Sequence, residues 1–159
     1  DPADLARNPY IAYNCIRIGE ATAVVANGTQ ADMIMERIED GGKPLDALAI
    51  SLVAYGYERD DLDTPRIAGV VRGKMGWLGI ARKEEFRVRQ FDLKEDAAYM
   101  VATYEKTDFE AAAIGGHSAE EIALRAYDLP LERPVCAAAA LALPAGQELE
   151  YDLAVYNPE

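Results

Sequence analysis

Short alternating segments separated by turn residues dominate the hydrophobic pattern of this chain of 159 residues. Alternation with a period of two is typical of strands, because successive side chains of a strand point to opposite faces. The small apolar residues at 135–143 fit either a strand or a helix. The alternation predicts strands at about 10–18, 22–26, 67–71, 77–81, 86–91, 98–104 and 149–156.

Three further segments have the features of helices. Residues 31–39 place apolar side chains on one face, as an amphipathic helix does. Residues 44–55 begin with a proline, which suits the first helical position, and are apolar nearly all round. We therefore expect this second helix to be buried between layers. A capping box at 118–121 predicts a third helix that continues to about residue 127.

The order of these elements, ββαα followed by ββββαββ, differs from the alternation of a doubly wound fold. It predicts an α+β sandwich of mostly antiparallel sheets with helices on the outer faces. The length suits a single domain, 1–159, with a sizeable core. Because the chain begins at Asp1 without a methionine, we expect it to be a truncated or processed piece of a longer protein.

The charge balance is strongly acidic, with 16 Lys and Arg against 28 Asp and Glu and a formal net charge of −12. This argues against nucleic acid or an anionic membrane as the main partner. No apolar run is long enough to span a bilayer, and no signal peptide is present in this sequence. A small anionic ligand remains possible, because it needs only a local cluster of donors.

The inventory of sulfur and imidazole side chains is small, consisting of Cys15, Cys136 and His117. The usual zinc ligand sets cannot be built from it, so we expect no metal site. Two cysteines do not form a disulfide scaffold, which predicts a reducing, cytoplasmic setting. Cys15 as a nucleophile would need His117 as its base, and a small buried packing residue is the commoner role for such a cysteine.

The stretch from Asn8 to Ile18 concentrates hydrogen-bonding side chains in one predicted strand. Strand alternation would place Tyr13, Cys15 and Arg17 on the same face. A phenol, a thiol and a guanidinium on one face suggest the floor of a ligand site. Spacing alone, however, fits a half-buried structural strand better.

Two further sequence features have both a functional and a commoner structural interpretation. Asn27-Gly28 precedes a predicted helix, whose N-terminal N–H groups favour anions, but ordinary strand-to-helix turns look the same. The glycine spacing and lysine of the known phosphate loops are absent. Glu58 follows the apolar helix, where partial desolvation would suit proton transfer, although most such glutamates are simply solvated.

These residues carry a resemblance to a known family. The segment from Asn8 to Arg17 resembles the signature strand of the archaeal-type IMP cyclohydrolases, and Ala26-Asn27-Gly28 is similar to the family's Ser-Asn-Gly turn. The resemblance continues along nearly the whole chain in three later blocks, Tyr57-Glu58 with Thr64-Pro65-Arg66-Ile67-Ala68, then Thr103-Tyr104-Glu105-Lys106-Thr107, and Ser118-Ala119-Glu120-Glu121.

The resemblance implies a four-layer α-β-β-α sandwich, similar to the N-terminal-nucleophile hydrolases. It implies an enzyme, a hydrolase acting on cyclic amidines. The activity would be closure of 5-formamidoimidazole-4-carboxamide ribotide to IMP with loss of water, the final step of purine biosynthesis. The implied partner is a purine nucleotide, with no cofactor, in a homo-oligomer. The family carries a further N-terminal segment, so the resemblance also implies that this segment is missing here.

On this interpretation Tyr13 and Glu58 are the catalytic residues. Glu58 would take a proton from the carboxamide nitrogen. Tyr13 would donate to the formyl oxygen, because a phenol with an ordinary pKa of about 10 is neutral near pH 7. The expected substrate-binding residues are Asn14, Arg17, Asn27, Gly28, Thr64 and Arg66.

Two alternatives remain open on the sequence alone. One is an amide hydrolase that uses Cys15 as its nucleophile. The other is a non-catalytic module that binds purine nucleotides.

Overall fold

The computed structural model describes residues 12–145 and 148–158, with residues 144, 145, 148 and 149 described as backbone alone. The α+β class with mostly antiparallel sheets is confirmed in this part of the chain. Its helices and strands, in chain order, are β1 Ile16–Ile18, β2 Thr22–Ala26, α1 Gln30–Glu39, α2 Pro44–Tyr55, β3 Arg66–Arg72, β4 Met75–Ala81, β5 Phe86–Asp92, β6 Ala98–Met100, β7 Glu110–Ala112, α3 Ala119–Tyr127, β8 Ala137–Ala145 and β9 Glu148–Tyr156.

The chain divides into two compact units. The first unit comprises residues 1–93 and 100–110, and the second comprises 94–99 and 111–159. Strands β6 and β7 form a small ladder of their own. The assignment of 1–159 to a single domain stays a prediction.

The first unit is built on a five-stranded antiparallel sheet with the strand order β1-β2-β3-β4-β5. Val24 of β2, Val70 of β3 and Trp77 of β4 are paired across the strands, so they share one face. Helices α1 and α2 pack on that face, and the side chains of Ile34 and Leu48 are fully buried there. Burial of a side chain of this size contributes about 1.5–3 kcal/mol.

Helix α2 is less buried than its composition predicts. Leu48 and Leu52 are fully buried, but Ile50 is 48% exposed and Val53 is 64% exposed. Gly79 of β4 lets the helix approach the sheet, because a Cβ there would lie 2.5 Å from the Leu52 Cδ1 atom. A helix whose sequence is apolar all round does not by itself determine how many of its faces are buried. The described residues of this unit cover one face of α2.

The opposite face of the sheet carries a second, smaller apolar cluster. Ile80, Phe91 and Phe109 are buried in it, with the two phenylalanine rings 6.3 Å apart in an edge-to-face arrangement. Val25 and Val71 lie on the same face and are about half exposed. This face therefore has a covered part and a bare part within the unit.

The second unit packs α3 against the antiparallel pair β8–β9. Ala119, Ala123 and Ala139 form its buried centre. The predicted helix start at Ser118 is confirmed, since the Ser118 Oγ accepts a hydrogen bond from the Glu121 N–H at 3.2 Å. The Glu121 carboxylate accepts from the His117 N–H instead of the Ser118 N–H of a full capping box. The ambiguous segment 135–143 contains most of strand β8.

The first and sixth predicted strands are wrong in their extent. Of the predicted strand 10–18, residues 10 and 11 lie outside the described part of the chain, and only Ile16–Ile18 form a strand. Residues 12–15 are not strand, although the Cys15 carbonyl oxygen still accepts from the Ala26 N–H of β2 at 3.0 Å. The Asn14 side chain bonds to Asp32 on α1. The predicted strand 98–104 ends at Met100, and β7 is a strand that the alternation missed.

Candidate active site

Asn27 joins the two chain segments that carry most of the predicted site residues. Its Oδ1 accepts hydrogen bonds from the Ile67 N–H at 2.9 Å and from the Gln30 Nε2 at 2.9 Å. Its Nδ2 donates to the Pro65 carbonyl oxygen at 2.9 Å. A backbone N–H only donates and a backbone carbonyl only accepts, so the orientation of this amide is chemically fixed. The β2–α1 turn is thereby tied to the start of β3.

The Arg66 guanidinium contacts Glu58, Gln30 and Tyr55. Its Nη1 lies 2.9 Å from the Glu58 Oε1 and donates to the Gln30 Oε1 at 3.1 Å. The guanidinium Cζ lies 5.2 Å from the centre of the Tyr55 ring, a cation–π geometry. The Arg66 side chain is 16% exposed and that of Glu58 is 39% exposed. Thus one predicted catalytic residue and one predicted binding residue meet in an ion pair.

Tyr13 lies within electrostatic reach of that ion pair. Burial raises the pKa of its phenol above the ordinary value, nearby Cys15 and Glu58 raise the pKa further, and Arg66 opposes them. The phenol is therefore protonated, and able to donate a hydrogen bond, throughout the neutral pH range. Tyr13 is 41% exposed, so part of this residue is open to solvent.

Arg17 and Asn14 both contact Asp32 of helix α1. Arg17 forms an ion pair with the Asp32 Oδ1, and the Asn14 Nδ2 donates to the same oxygen at 3.2 Å. Arg17 is paired with Val24 across the strands, which puts it on the helix-covered face of the sheet. Because residues 12–15 are not strand, the alternation behind the expected common face with Tyr13 and Cys15 does not hold there, and that common face stays a prediction. Substrate contact by Asn14 and Arg17 stays a prediction.

Thr64 belongs to the connection between α2 and β3. Its hydroxyl donates to the Asp60 Oδ2 at 2.6 Å and lies 2.7 Å from the Tyr104 hydroxyl. The Thr64 hydroxyl has a single hydrogen, so Tyr104 is the donor to Thr64. The hydrogen bonds from Thr64 hold the pKa of the Asp60 carboxyl below its usual value. Sequence reasoning did not select Tyr104, although it lies in one of the blocks that carry the resemblance.

Gln30 is a second residue that sequence reasoning missed. It is the first residue of α1 and is completely buried, although a glutamine at a helix start is usually solvated. Its Nε2 donates to the Asn27 Oδ1 and, at 3.1 Å, to the Ile67 carbonyl oxygen. The only sequence signal was its position three residues after Asn27.

Gly28 lies where these side chains crowd together. A Cβ added to it would be 2.5 Å from the Gln30 Oε1 and 2.7 Å from the Arg66 Nη1. Both distances are shorter than real Cβ contacts, so any larger residue would displace the two side-chain ends. The glycine is therefore explained by the close approach of Arg66 and Gln30.

Cys15 does not have the buried packing role that the sequence favoured for it. Cys15 and Cys136 are free and exposed. His117 belongs to the second unit, where its backbone N–H donates to the Glu121 Oε2 at 2.9 Å.

Within residues 12–145 and 148–158, no group of three or more His, Cys, Asp or Glu side chains could hold a metal ion. No helix in that part is both long and apolar enough to cross a membrane.

The described residues form an α+β protein in which Glu58 and Arg66 pair at the start of the central strand β3. The model of one family, described as IMP cyclohydrolase-like protein, matches residues 1–146. The chain belongs to the IMP cyclohydrolase-like family, which confirms the resemblance stated from the sequence.

Several archaeal relatives support the same assignment. A protein of Methanothrix thermoacetophila named IMP cyclohydrolase is 58% identical over 99% of this chain and 77% of its own length. The protein of the same name from Methanocella arvoryzae is 48% identical, over 99% of this chain and 76% of its own. That of Natronomonas pharaonis is 46% identical, over 96% and 75%.

Proposed function

We propose that this chain is an IMP cyclohydrolase that closes 5-formamidoimidazole-4-carboxamide ribotide to IMP with loss of water. Family membership and the names of the relatives support the activity. The structural observation that carries it is the Glu58–Arg66 ion pair at 2.9 Å, with the protonated Tyr13 phenol within electrostatic reach. This cluster contains a proton acceptor, a hydrogen-bond donor and a positive charge.

The reaction makes modest demands on the protein. The substrate carries both reacting groups, so the enzyme must hold the carboxamide nitrogen against the formyl carbon, which is an orientation task. A new C–N bond forms, the formyl oxygen becomes an oxyanion, and protons must move from nitrogen to oxygen before water leaves. A carboxylate, a phenol and a guanidinium can supply these functions.

In this proposal Glu58 accepts the proton that the carboxamide nitrogen loses when the C–N bond forms. Arg66 fixes the direction of the Glu58 carboxylate and keeps a positive charge beside it. Tyr13 donates to the formyl oxygen as negative charge develops there, which is the role of an oxyanion-hole donor. Glu58 returns its proton to this oxygen, which gives a hydroxyl group. The former formamide nitrogen then loses its proton, the hydroxyl group leaves with that proton as water, and the C=N double bond of the ring forms.

The remaining predicted contacts are proposals for holding the rest of the nucleotide. Asn27 retains one amide hydrogen beyond the bond to Pro65, and it can donate that hydrogen to the carboxamide or formyl group. Thr64, with the neighbouring Tyr104 hydroxyl, offers a second polar contact. Asn14, Arg17, Gly28 and Arg66 complete the proposed binding set, in which Arg66 is the arginine beside Glu58.

Substitution of Glu58 is the experiment that tests this proposal. We expect Glu58→Gln to lower kcat by about 10²- to 10⁴-fold, because the amide cannot accept the proton. IMP binding, measured by calorimetry on the same sample, should be retained. Glu85→Gln is the matched control, since Glu85 is also an ion-paired carboxylate, 3.3 Å from Arg82 and 43% exposed.

The outcomes separate the proposal from its alternatives. A cyclisation rate in Glu58→Gln equal to that of Glu85→Gln would remove Glu58 from the chemistry. Binding of IMP by the wild-type chain without turnover would favour a non-catalytic nucleotide-binding module. Because Cys15 is exposed, iodoacetamide can also test the amide hydrolase. Loss of amide hydrolysis on alkylation, with a covalent acyl adduct in the untreated protein, would favour that alternative.

We further propose the four-layer α-β-β-α sandwich for the whole chain, in a cytoplasmic homo-oligomer. Each unit supports the layering by itself, because each has a sheet with helices on one face and exposed apolar side chains on the other. In the first unit these are Val25 and Val71, and in the second they are Leu153 and Val155. Light scattering on the purified chain tests the oligomer.

A further inference from the structure

The Gln30 amide connects the backbone of β3 to the guanidinium of Arg66. Its two amide hydrogens are used by the Asn27 Oδ1 at 2.9 Å and the Ile67 carbonyl oxygen at 3.1 Å. Its oxygen accepts from the Arg66 Nη1 at 3.1 Å. Carbonyl oxygens only accept and guanidinium groups only donate, so this amide has one possible orientation.

The burial of Gln30 is not explained by core packing. Its side chain is completely buried, and burying an amide is favourable only when its hydrogen bonds are made. An apolar side chain of similar length, such as methionine, would fill the same volume without that requirement. What a methionine could not supply is a fixed acceptor directed at Arg66.

Arg66 needs such a fixed acceptor, because its other contacts do not hold the guanidinium in one orientation. Its Nη1 donates to the Gln30 Oε1 at 3.1 Å and forms an ion pair with the Glu58 Oε1 at 2.9 Å. The Tyr55 ring lies against the guanidinium, with its centre 5.2 Å from Cζ. The buried Nε has no hydrogen-bond partner within the described residues. Without Gln30, the exposed Glu58 carboxylate would be the main polar constraint on this guanidinium.

Gly28 is part of the same arrangement. A methyl group at position 28 would meet only the Gln30 Oε1 and the Arg66 Nη1 at under 3 Å, both of which are ends of flexible side chains. The backbone at Gly28 does not have the positive φ that would strain an alanine. Gly28→Ala should therefore leave the fold intact and displace the contact between Gln30 and Arg66.

We propose that Gln30 is a positioning residue that fixes the Arg66 guanidinium, and through it the Glu58 carboxylate, with Gly28 keeping open the space for their contact. The inference rests on the proposed function for its consequence in catalysis. Its geometric part concerns Arg66 alone and can be tested without turnover.

The test compares two variants with two matched controls. Gln30→Met removes the fixed acceptor, and Gly28→Ala displaces it. Gln90→Met is the control for the first, because the Gln90 Oε1 accepts from the Trp77 Nε1 at 2.9 Å and has no part in the Arg66 contacts. Gly115→Ala is the control for the second, because a Cβ there meets no atom within 4 Å.

The first readout is the Arg66 Nε–H signal in an NMR spectrum of the 15N-labelled chain, assigned by its loss in Arg66→Lys. We expect the signal to shift and its hydrogen exchange to accelerate in Gln30→Met and Gly28→Ala, and to be unchanged in both controls. The second readout is steady-state kinetics. We expect kcat to fall about ten- to hundredfold in both variants, because misplaced groups lose rate.

The two readouts separate the inference from the proposed function. An Arg66 signal that is unchanged in both variants would overturn the inference, whatever the kinetics show. If Gln30→Met does not fold, Gly28→Ala decides alone. A wild-type chain without cyclisation activity would contradict the proposed function, and the Arg66 signal would still decide whether Gln30 positions that residue. A loss of kcat equal to that of the controls would contradict the link to Glu58.

Discussion

Tyr13 combines partial exposure with surroundings that oppose the ionisation of its phenol. The phenol is 41% exposed, and burial of its ring together with the Cys15 and Glu58 charges raises its pKa. We expect Tyr13→Phe to lower kcat by about 10² or more, the usual cost of one oxyanion donor. Tyr127→Phe is the control, because Tyr127 is in the second unit and its hydroxyl donates to the Pro134 carbonyl oxygen at 3.4 Å. A loss of only a few-fold would contradict the donor role.

The raised pKa of Tyr13 also predicts its pH dependence. Below about pH 10 the phenol is protonated in both the folded and the unfolded chain, so it has no effect on stability there. Above that pH the unfolded chain ionises first, and stability falls as the pH rises through the folded pKa. The difference in absorbance at 295 nm between wild type and Tyr13→Phe should titrate with a midpoint above 10. A midpoint below 10 would contradict the described surroundings.

The sequence and the family resemblance named candidate residues without showing the contacts among them. Glu58 and Arg66 were named on the resemblance, and the structure brings these two into an ion pair, with Tyr13 close enough for both to affect its pKa. Gln30 and Tyr104 were missed, because each is in the site through a partner that is distant in the sequence. Gln30 meets Arg66 across 36 positions, and Tyr104 meets Thr64 across 40. No local pattern encodes such pairs.

At the scale of elements, two serines in helices have opposite roles. The Ser118 Oγ caps α3 by accepting from the Glu121 N–H, whereas the Ser51 Oγ is buried in α2 without a hydrogen-bond partner among the described residues. We expect Ser118→Ala to lower the free energy of unfolding by about 1 kcal/mol. Ser51→Ala should raise it by about 0.5 kcal/mol, since alanine favours helix and removes an unpaired hydroxyl. Urea unfolding of both variants measures these changes, and equal effects would contradict the assignment.

The elements that follow from local periodicity were predicted well. Helix α1 and strands β3 to β5 begin and end within about two residues of their predicted limits, the usual uncertainty of helix and strand ends. Strand β1 was predicted too long because alternation cannot show that Asn14 bonds to Asp32 on a helix. The exposed side of α2 was missed for a related reason. An apolar composition shows which side chains could be buried. Whether another part of the protein covers them depends on the tertiary structure.

At the scale of the whole molecule, the proposed four layers require that the bare sheet faces be covered. Val155 lies between Ala154 and Tyr156, which pack towards α3, so it points to the opposite face of β9 and is 74% exposed in its unit. If the proposed layering is correct, Val155→Asp should lower the free energy of unfolding by several kcal/mol, because a buried unpaired charge is costly. Val135→Asp is the control, at 76% exposure outside any strand. Equal stability of the two variants would contradict the four layers.

The Asn27 amide has a consequence for how this protein can change over generations. The Asn27 side chain bonds Gln30, three positions away, and Ile67, 40 positions away. The contacts of Gln30, Gly28 and Arg66 depend on the arrangement that it fixes. A replacement at any one of these four positions leaves the others with unpaired polar atoms or with a clash. A single substitution at any of these positions is therefore disfavoured. We expect the four positions to change together in evolution, although they are divided between the beginning and the middle of the chain.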